Sequence, residues 1–298
     1  MKRLIIMAVL AGFVFSAAAQ TKTRTLTLPD FIGVDISSYF DVEISKGNRE
    51  DVEITYSPEL EPYIIAKVLN GKILHLGIDT KDMPRDLKRE NSRGRYILKA
   101  KIVTPDIESL ETSGAAKVEL NGDFTPRIFK GDFSGASSIK GLNIRTKSAS
   151  IDCSGASKLQ IFGSVSDKAS YDFSGASHAD IRQDIGDLYI ETSGASKASI
   201  EGALSKIKID LSGASSMSIS GKSEDMNLRI SGASHFNGDK FDVNSASVNA
   251  SGASSASVDV SRTLQVNISG SSSVKYSDSR NLDVQVKNIS KGASLIKR

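Results

Sequence analysis

Along most of the chain, apolar and polar residues alternate one for one, and the alternation restarts about every twenty residues around the tetrapeptide Ser-Gly-Ala-Ser. The Ser-Gly pairs begin at Ser113, Ser134, Ser154, Ser174, Ser193, Ser212, Ser231, Ser251 and Ser269, in steps of 18 to 21 residues, and Ser290-Lys291-Gly292-Ala293-Ser294 is a degenerate tenth copy. Counting back from each serine, the fifth, third and first preceding positions are apolar: Ala169, Tyr171 and Phe173 in one copy, Ile207, Ile209 and Leu211 in another. A period of two is a strand with one buried face. After the tetrapeptide, apolar residues return five and seven positions on, as at Leu159 and Ile161, or Met217 and Ile219. Each repeat therefore reads as strand, Ser-Gly-Ala-Ser corner, strand, and a second corner often marked by glycine (Gly163, Gly202, Gly221).

Two strands in a unit of about 20 residues, iterated, predict an all-β fold: a parallel β-helix or β-solenoid. Propeller blades need about 40 residues and four strands each. Coils about 4.8 Å apart would make ten of them span roughly 45–50 Å. Within the corner, glycine supplies the positive φ that a sharp bend needs. The alanine is expected inside the bend, and the serines are expected to satisfy backbone groups freed there.

Before the repeats the pattern is still β. Phe40–Ile44 and Val52–Tyr56 alternate around Lys46-Gly47-Asn48, predicting a hairpin or a tight corner. Asn70-Gly71 between Ile64–Leu69 and Ile73–Ile78 predicts a two-residue hairpin. Residues 79–95 are charged and interrupted by Pro84 and Gly94, and read as an exposed, mobile loop. No helix of ordinary length is expected, and Pro58 to Tyr63 would make one turn at most. The organisation expected is thus a leader at 1–19, an N-terminal β segment with the first coils at 20–110 that caps the solenoid, and a regular solenoid at 111–298.

The string Phe31-Ile32-Gly33-Val34-Asp35-Ile36, then Phe40 to Gly47, Val52-Glu53-Ile54, a strand-Asn-Gly-strand unit ending in Leu74-His75-Leu76, and iterated Ser-Gly-Ala-Ser coils resembles one known family. It is the exported bacterial family called putative auto-transporter adhesin, head GIN domain, common in Bacteroidetes. The resemblance covers roughly Phe31 to Ala293 and implies a β-helical fold with an N-terminal β portion. It implies no activity.

The first twenty residues bear on location. Lys2 and Arg3, an apolar run from Leu4 to Phe15 too short to span a bilayer, and Ser16-Ala17-Ala18-Ala19 form a secretory signal pattern. The residue after the expected cut is Gln20 rather than cysteine, which disfavours a lipid-anchored signal. Export to the periplasm or the cell surface of a Gram-negative bacterium is expected, with no transmembrane segment in the mature chain. Without Lys2 and Arg3 the 38 basic residues fall to 36 against 35 acidic ones, a balance that argues against a nucleic-acid partner. Cys153 is the single cysteine and falls in an apolar slot, so it is expected as a buried thiol.

Chemistry could reside in two outward columns. Two positions before Ser-Gly stand Glu111, Asp132, Asp152, Asp172, Glu191 and Asp210, followed by Arg229, Asn249 and Asn267. Four positions after the serine stand Lys117, Lys158, His178, Lys197 and His235, with serines in the other coils. Stacked carboxylates repel unless screened, paired or bridged. The candidate binding residues are therefore Asp132, Asp152, Asp172, Glu191 and Asp210, with Lys158, His178 and Lys197 offsetting them if the corner brings the columns together. One carboxylate per coil does not build a calcium cage, and three histidines without ligand-like spacing do not bind zinc. No cofactor or metal is expected. Asp152, Asp172, Lys158 and His178 could form the kind of patch a polysaccharide-active enzyme uses, yet they are what the repeat rule places there, and the chain has no tryptophan to stack a sugar. The function expected is an exported, non-enzymatic solenoid, adhesin-like or surface- or glycan-binding, with a glycan or cell-surface protein as partner. A structural envelope scaffold is the alternative, and a polysaccharide-active β-helix enzyme follows behind it.

Overall fold

A computed structural model describes residues 21–277 and 281–298, and the expected signal at 1–19 lies outside them. The chain is a parallel β-solenoid of about nine turns with coils about 20 residues apart. Its N-terminal part contains β1 (Lys22–Leu26), β2 (Gly33–Ile36), β3 (Asp41–Lys46), β4 (Asp51–Tyr56), β5 (Ile64–Leu69), β6 (Ile73–Ile78) and β7 (Leu98–Thr104). Next come β8 (Ser109–Thr112), β9 (Lys117–Asn121), β10 (Asp123–Phe124) and β11 (Ile128–Phe133). Seven long strands carry the regular coils: β12 (Ser138–Cys153), β13 (Lys158–Phe173), β14 (His178–Thr192), β15 (Lys197–Leu211), β16 (Ser216–Ile230), β17 (His235–Ala250) and β18 (Ser255–Ile268). The last are β19 (Ser273–Tyr276), β20 (Asp283–Ile289) and β21 (Ser294–Lys297).

Each long strand pairs in parallel with the next, in the register the repeat count gives: Asp152 opposite Asp172, Ile190 opposite Ile209, Leu211 opposite Ile230. The positions predicted to face inward do so, among them Ile151, Tyr171, Phe173, Ile209, Leu228 and Ile268. Cys153 is buried with them. The second corner differs from expectation. Instead of two strands separated by a turn, one strand of 14 to 16 residues runs through the bend, and the ladder steps out of register near Thr146/Ser148, Val165/Lys168 and Val243/Ser245. A bulge bends a strand while leaving it paired on either side.

At the Ser-Gly-Ala-Ser corner the coils ride directly on each other. The Ala156 amide donates to the Gly135 carbonyl at 2.7 Å, and Gly155 has φ of 68°. A Cβ on Gly155 would sit 2.4 Å from the Gly135 carbonyl oxygen, so glycine is required there both by conformation and by closeness. The alanine expectation is corrected: Ala156, Ala176 and Ala195 are exposed, and the fourth residue, the second serine, is buried. The Ser177 hydroxyl donates to the Ser174 carbonyl at 2.8 Å and pairs with the Ser196 hydroxyl at 3.2 Å.

The first coil is older in the sequence than the motif suggests. Strands β2 and β3 stack on β8 and β9, so Ser37-Ser38 is a corner without glycine, and Ser38 takes positive φ (73°) in the glycine slot. Beyond it the chain stops coiling: β5 and β6 form the antiparallel Asn70-Gly71 hairpin, while β4 pairs antiparallel with β1 and β7. Lys46-Gly47-Asn48 is thus a corner and not a hairpin, since β3 and β4 lie on opposite sides of β7. Residues 79–95 are not a plain loop. They hold an α-helix, α1 (Arg85–Ser92), in which Asn91 is buried, and Met83 just before it is buried too. Pro58–Tyr63 forms a 3₁₀ segment.

Candidate functional site

The acidic column exists as a continuous row on one side of the solenoid. Register places Lys67, His75, Asp35, Glu111, Asp132, Asp152, Asp172, Glu191 and Asp210 on successive strands, followed by Arg229, Asn249 and Asn267. Burial, with Asp35 and Asp132 alongside, holds Glu111 above the usual carboxylate range. Burial and then Asp132 do the same to Asp152, and burial with Glu191 and Asp152 to Asp172. These are the signs of like charges stacked without partners. Lys158, His178 and Lys197 form their own column across the corner, and among the described residues no ion pair joins the two. The structure therefore gathers the predicted carboxylates and, separately, the predicted bases; it does not bring one to the other.

Basic side chains flank the acidic row at each end. At the N-terminal end Asp35 Oδ2 lies 2.6 Å from His75 Nδ1. Ser37 and His75 flank the same side of Gly77, and the Ser37 hydroxyl donates to the Leu76 carbonyl at 3.3 Å. At the other end Arg229 replaces the acid next to Asp210. There the row forms one edge of a shallow cleft of about 390 Å³ that includes Glu191, Asp210, Arg229 and Asn249.

A larger depression lies two residues upstream along the strands, outside the predicted set. It is a groove of about 880 Å³ running from Ile128 to Thr263, across the strands and along the axis of the solenoid. Its floor is the backbone of the column Ala149, Ala169, Leu188, Ile207, Met226 and Ala246, whose side chains point into the core. Its walls are the flanking outward columns, which carry serines, lysines, Asp187 and Asp225. Register shifts lie just upstream of it at Thr146/Ser148, Val165/Lys168 and Val243/Ser245.

Tyr189 joins the two depressions. Its ring lines the groove, and its hydroxyl donates to Glu191 Oε2 at 2.9 Å and to Asp210 Oδ2 at 3.3 Å. Those carboxylates, Glu191 first, push the phenol up to about 12. Lys208 Nζ lies 4.6 Å from the ring centroid and 3.5 Å from Asp210 Oδ2. Tyr189, Lys208, Glu191, Asp210 and Arg229 are thus where the charge pattern of the repeat is interrupted. Sequence reasoning reached Glu191 and Asp210 and missed Tyr189 and Lys208. The available signal was Tyr189 itself, the one aromatic in an outward column that otherwise holds Lys130, Ser150, Ser170, Lys208, Asn227, Ser247 and Gln265.

The family model described as putative auto-transporter adhesin, head GIN domain, matches residues 30–183 and again 169–279. Among solved structures, the chain is similar to a putative adhesin from Parabacteroides distasonis ATCC 8503, at 15% identity over 94% of this chain and 98% of that one, with a TM-score of 0.49. A putative adhesin from Parabacteroides merdae ATCC 43184 gives 15% identity, 94% and 97% coverage and the same TM-score of 0.49. A putative lipid binding protein from Parabacteroides distasonis ATCC 8503 gives 13% identity, 94% and 95% coverage and a TM-score of 0.43. No curated protein matches the chain.

Proposed function

This chain belongs to the putative auto-transporter adhesin, head GIN domain family, and from that membership we propose that it is an exported, adhesin-like protein that holds a cell-surface partner, a glycan before a protein, against the side of its solenoid and catalyses no reaction. The observation that carries the reading is the long groove beside Tyr189, which runs across eight strands. Concave, largely apolar sites with a few placed polar groups are where ligands bind. A catalytic reading lacks its parts: Asp152 and Asp172 stand side by side, but Lys158 and His178 pair with neither. The four-residue patch of carboxylates and bases is thus not assembled.

The test is an array of surface glycans and purified surface proteins probed with the mature chain and with Ser170→Trp. Ser170 is exposed on the groove wall, so a large ring there blocks the groove without entering the core. Saturable binding by the wild type that Ser170→Trp removes is the expected result. Binding that ignores the substitution would move the site elsewhere, and turnover of any arrayed polymer would overturn the non-enzymatic reading.

A further inference from the structure

We infer that the occupant of the groove is a linear, uncharged polysaccharide lying along the solenoid axis, at about one sugar residue per coil. This rests on the binding reading above and names the ligand class. Direction comes first. The groove crosses the strands from Ile128 to Thr263, eight strands in all. At about 4.8 Å per coil that is a trough of roughly 34 Å. Its occupant is long and unbranched, with a repeat near that of the coils.

Surface chemistry comes second. The floor is strand backbone whose amides and carbonyls are taken up in the ladder, with the side chains of that column turned into the core, whereas hydroxyls recur along both walls, at Ser148 and Ser150, and again at Ser245 and Ser247. A sugar ring suits that division, because its C–H face can cover the floor while its hydroxyls exchange hydrogen bonds with the walls. Tyr189 adds one flat aromatic face, oriented by the bonds of its hydroxyl to Glu191 and Asp210. Other elongated occupants fit less well. A peptide adding itself as a strand needs a free sheet edge, and the strands here are paired on both sides. An acyl chain in a groove open along its length would leave much of its surface in water, forfeiting the transfer energy that drives its burial.

Charge comes third. On one wall Lys168, Asp187, Lys206 and Asp225 alternate in register, so the wall presents no net sign. The opposite wall runs beside the carboxylate row from Asp132 to Asp210, which repels a polyanion. Lys130 and Lys208 on that wall, with the two lysines opposite, weigh against a polycation. What remains compatible is an uncharged chain.

The experiment titrates the mature chain by calorimetry with neutral gluco-, xylo- and manno-oligosaccharides from disaccharide to hexasaccharide. Galacturonate and glucosamine hexamers serve as anionic and cationic counterparts. At least one neutral series should bind with affinity rising at least tenfold from dimer to hexamer. Tyr189→Ala should weaken the hexamer about tenfold, and Ser170→Trp should abolish binding while the circular dichroism spectrum stays that of the wild type. Preference for a charged hexamer, affinity independent of length, or no neutral hexamer bound would overturn the inference. If the glycan array still shows binding that Ser170→Trp removes, only the ligand class has failed. If array binding is indifferent to Ser170→Trp, the groove has failed and the proposed function with it.

Discussion

The fourth residue of the corner carries more of the fold than its size suggests. Ser137, Ser157, Ser177 and Ser272 each donate to the carbonyl of the serine three residues back, at 2.7 to 2.8 Å, and Ser177 also meets Ser196 of the next coil. The hydroxyl closes the turn from inside, where water cannot take its place. A buried hydrogen bond of this kind contributes about 1 kcal/mol net, and an orphaned partner costs up to about 3 kcal/mol. Ser177→Ala, which strands the Ser174 carbonyl and the Ser196 hydroxyl, should therefore destabilise by about 1–2 kcal/mol in urea unfolding. Ala176→Ser, on the exposed neighbour, should stay within about 0.5 kcal/mol of wild type. The reverse order would restore alanine to the interior. This assignment was legible after all. The period-two count from buried Phe173 carried through the corner puts Ser177 inward and Ala176 outward, as found, although Gly175 at the bend itself is exposed; alanine's small size suggests the opposite. The first corner was illegible for another reason. Ser37-Ser38 adopts the same turn with no glycine to mark it.

At the scale of elements, the stack that holds the strands in register also forces like charges together. Glu111, Asp152 and Asp172 are held above their usual range, chiefly by burial and then by neighbouring carboxylates. A carboxyl whose folded pKa is raised binds its proton more tightly in the folded state, so its ionisation penalises folding. The penalty is absent below the unfolded values of 3.8 for Asp and 4.5 for Glu, grows as pH rises through the raised folded values, and is complete above them. Asp152→Asn should accordingly stabilise the chain at neutral pH, and its advantage over wild type should shrink as pH falls towards the ordinary carboxylate range. The urea midpoints of the two proteins, followed from pH 7 downward at low and high salt, check this. Salt should narrow the gap at pH 7, because it screens partly exposed charges. An advantage that grows on acidification would mean the column is stabilising. The column itself was readable in the sequence, since register follows from the constant spacing of the repeat. The groove was not, because its lining takes about three residues from each coil and they carry no fixed sequence mark. Helix α1 escaped for a simpler reason: Arg85 to Ser92 is almost wholly charged or polar and shows no apolar stripe.

For the whole molecule, each coil meets only its two neighbours, so stability is approximately a sum of coil and interface terms. The steps between corners are all close to 20 residues, and the buried columns are interchangeable in kind. Deleting residues 155–174 joins Ser154 to Gly175 and regenerates Ser-Gly-Ala-Ser, so β12 would continue directly into the corner that precedes β14. The new neighbours are compatible in register: Ala149 would face Leu188, Ile151 would face Ile190, and Asp152 would face Glu191, as their counterparts already do through β13. Such a deletion should leave a cooperatively unfolding β-protein with a smaller slope in urea, because less surface is exposed on unfolding. A deletion of 155–164 preserves the inward and outward parity of the strands but removes half a turn, and the chain should fail to fold. If both deletions fold, the coil is not the unit; if neither does, the coils are not interchangeable. The in-phase deletion also shortens the groove by one coil, about 4.8 Å, while sparing Tyr189 and Lys208. For a ligand lying along the axis, affinity should then stop rising about one sugar residue earlier in the oligosaccharide series than for the wild type. A ligand that crosses the groove, or occupies only the Tyr189 cluster, would show the same length dependence in both proteins.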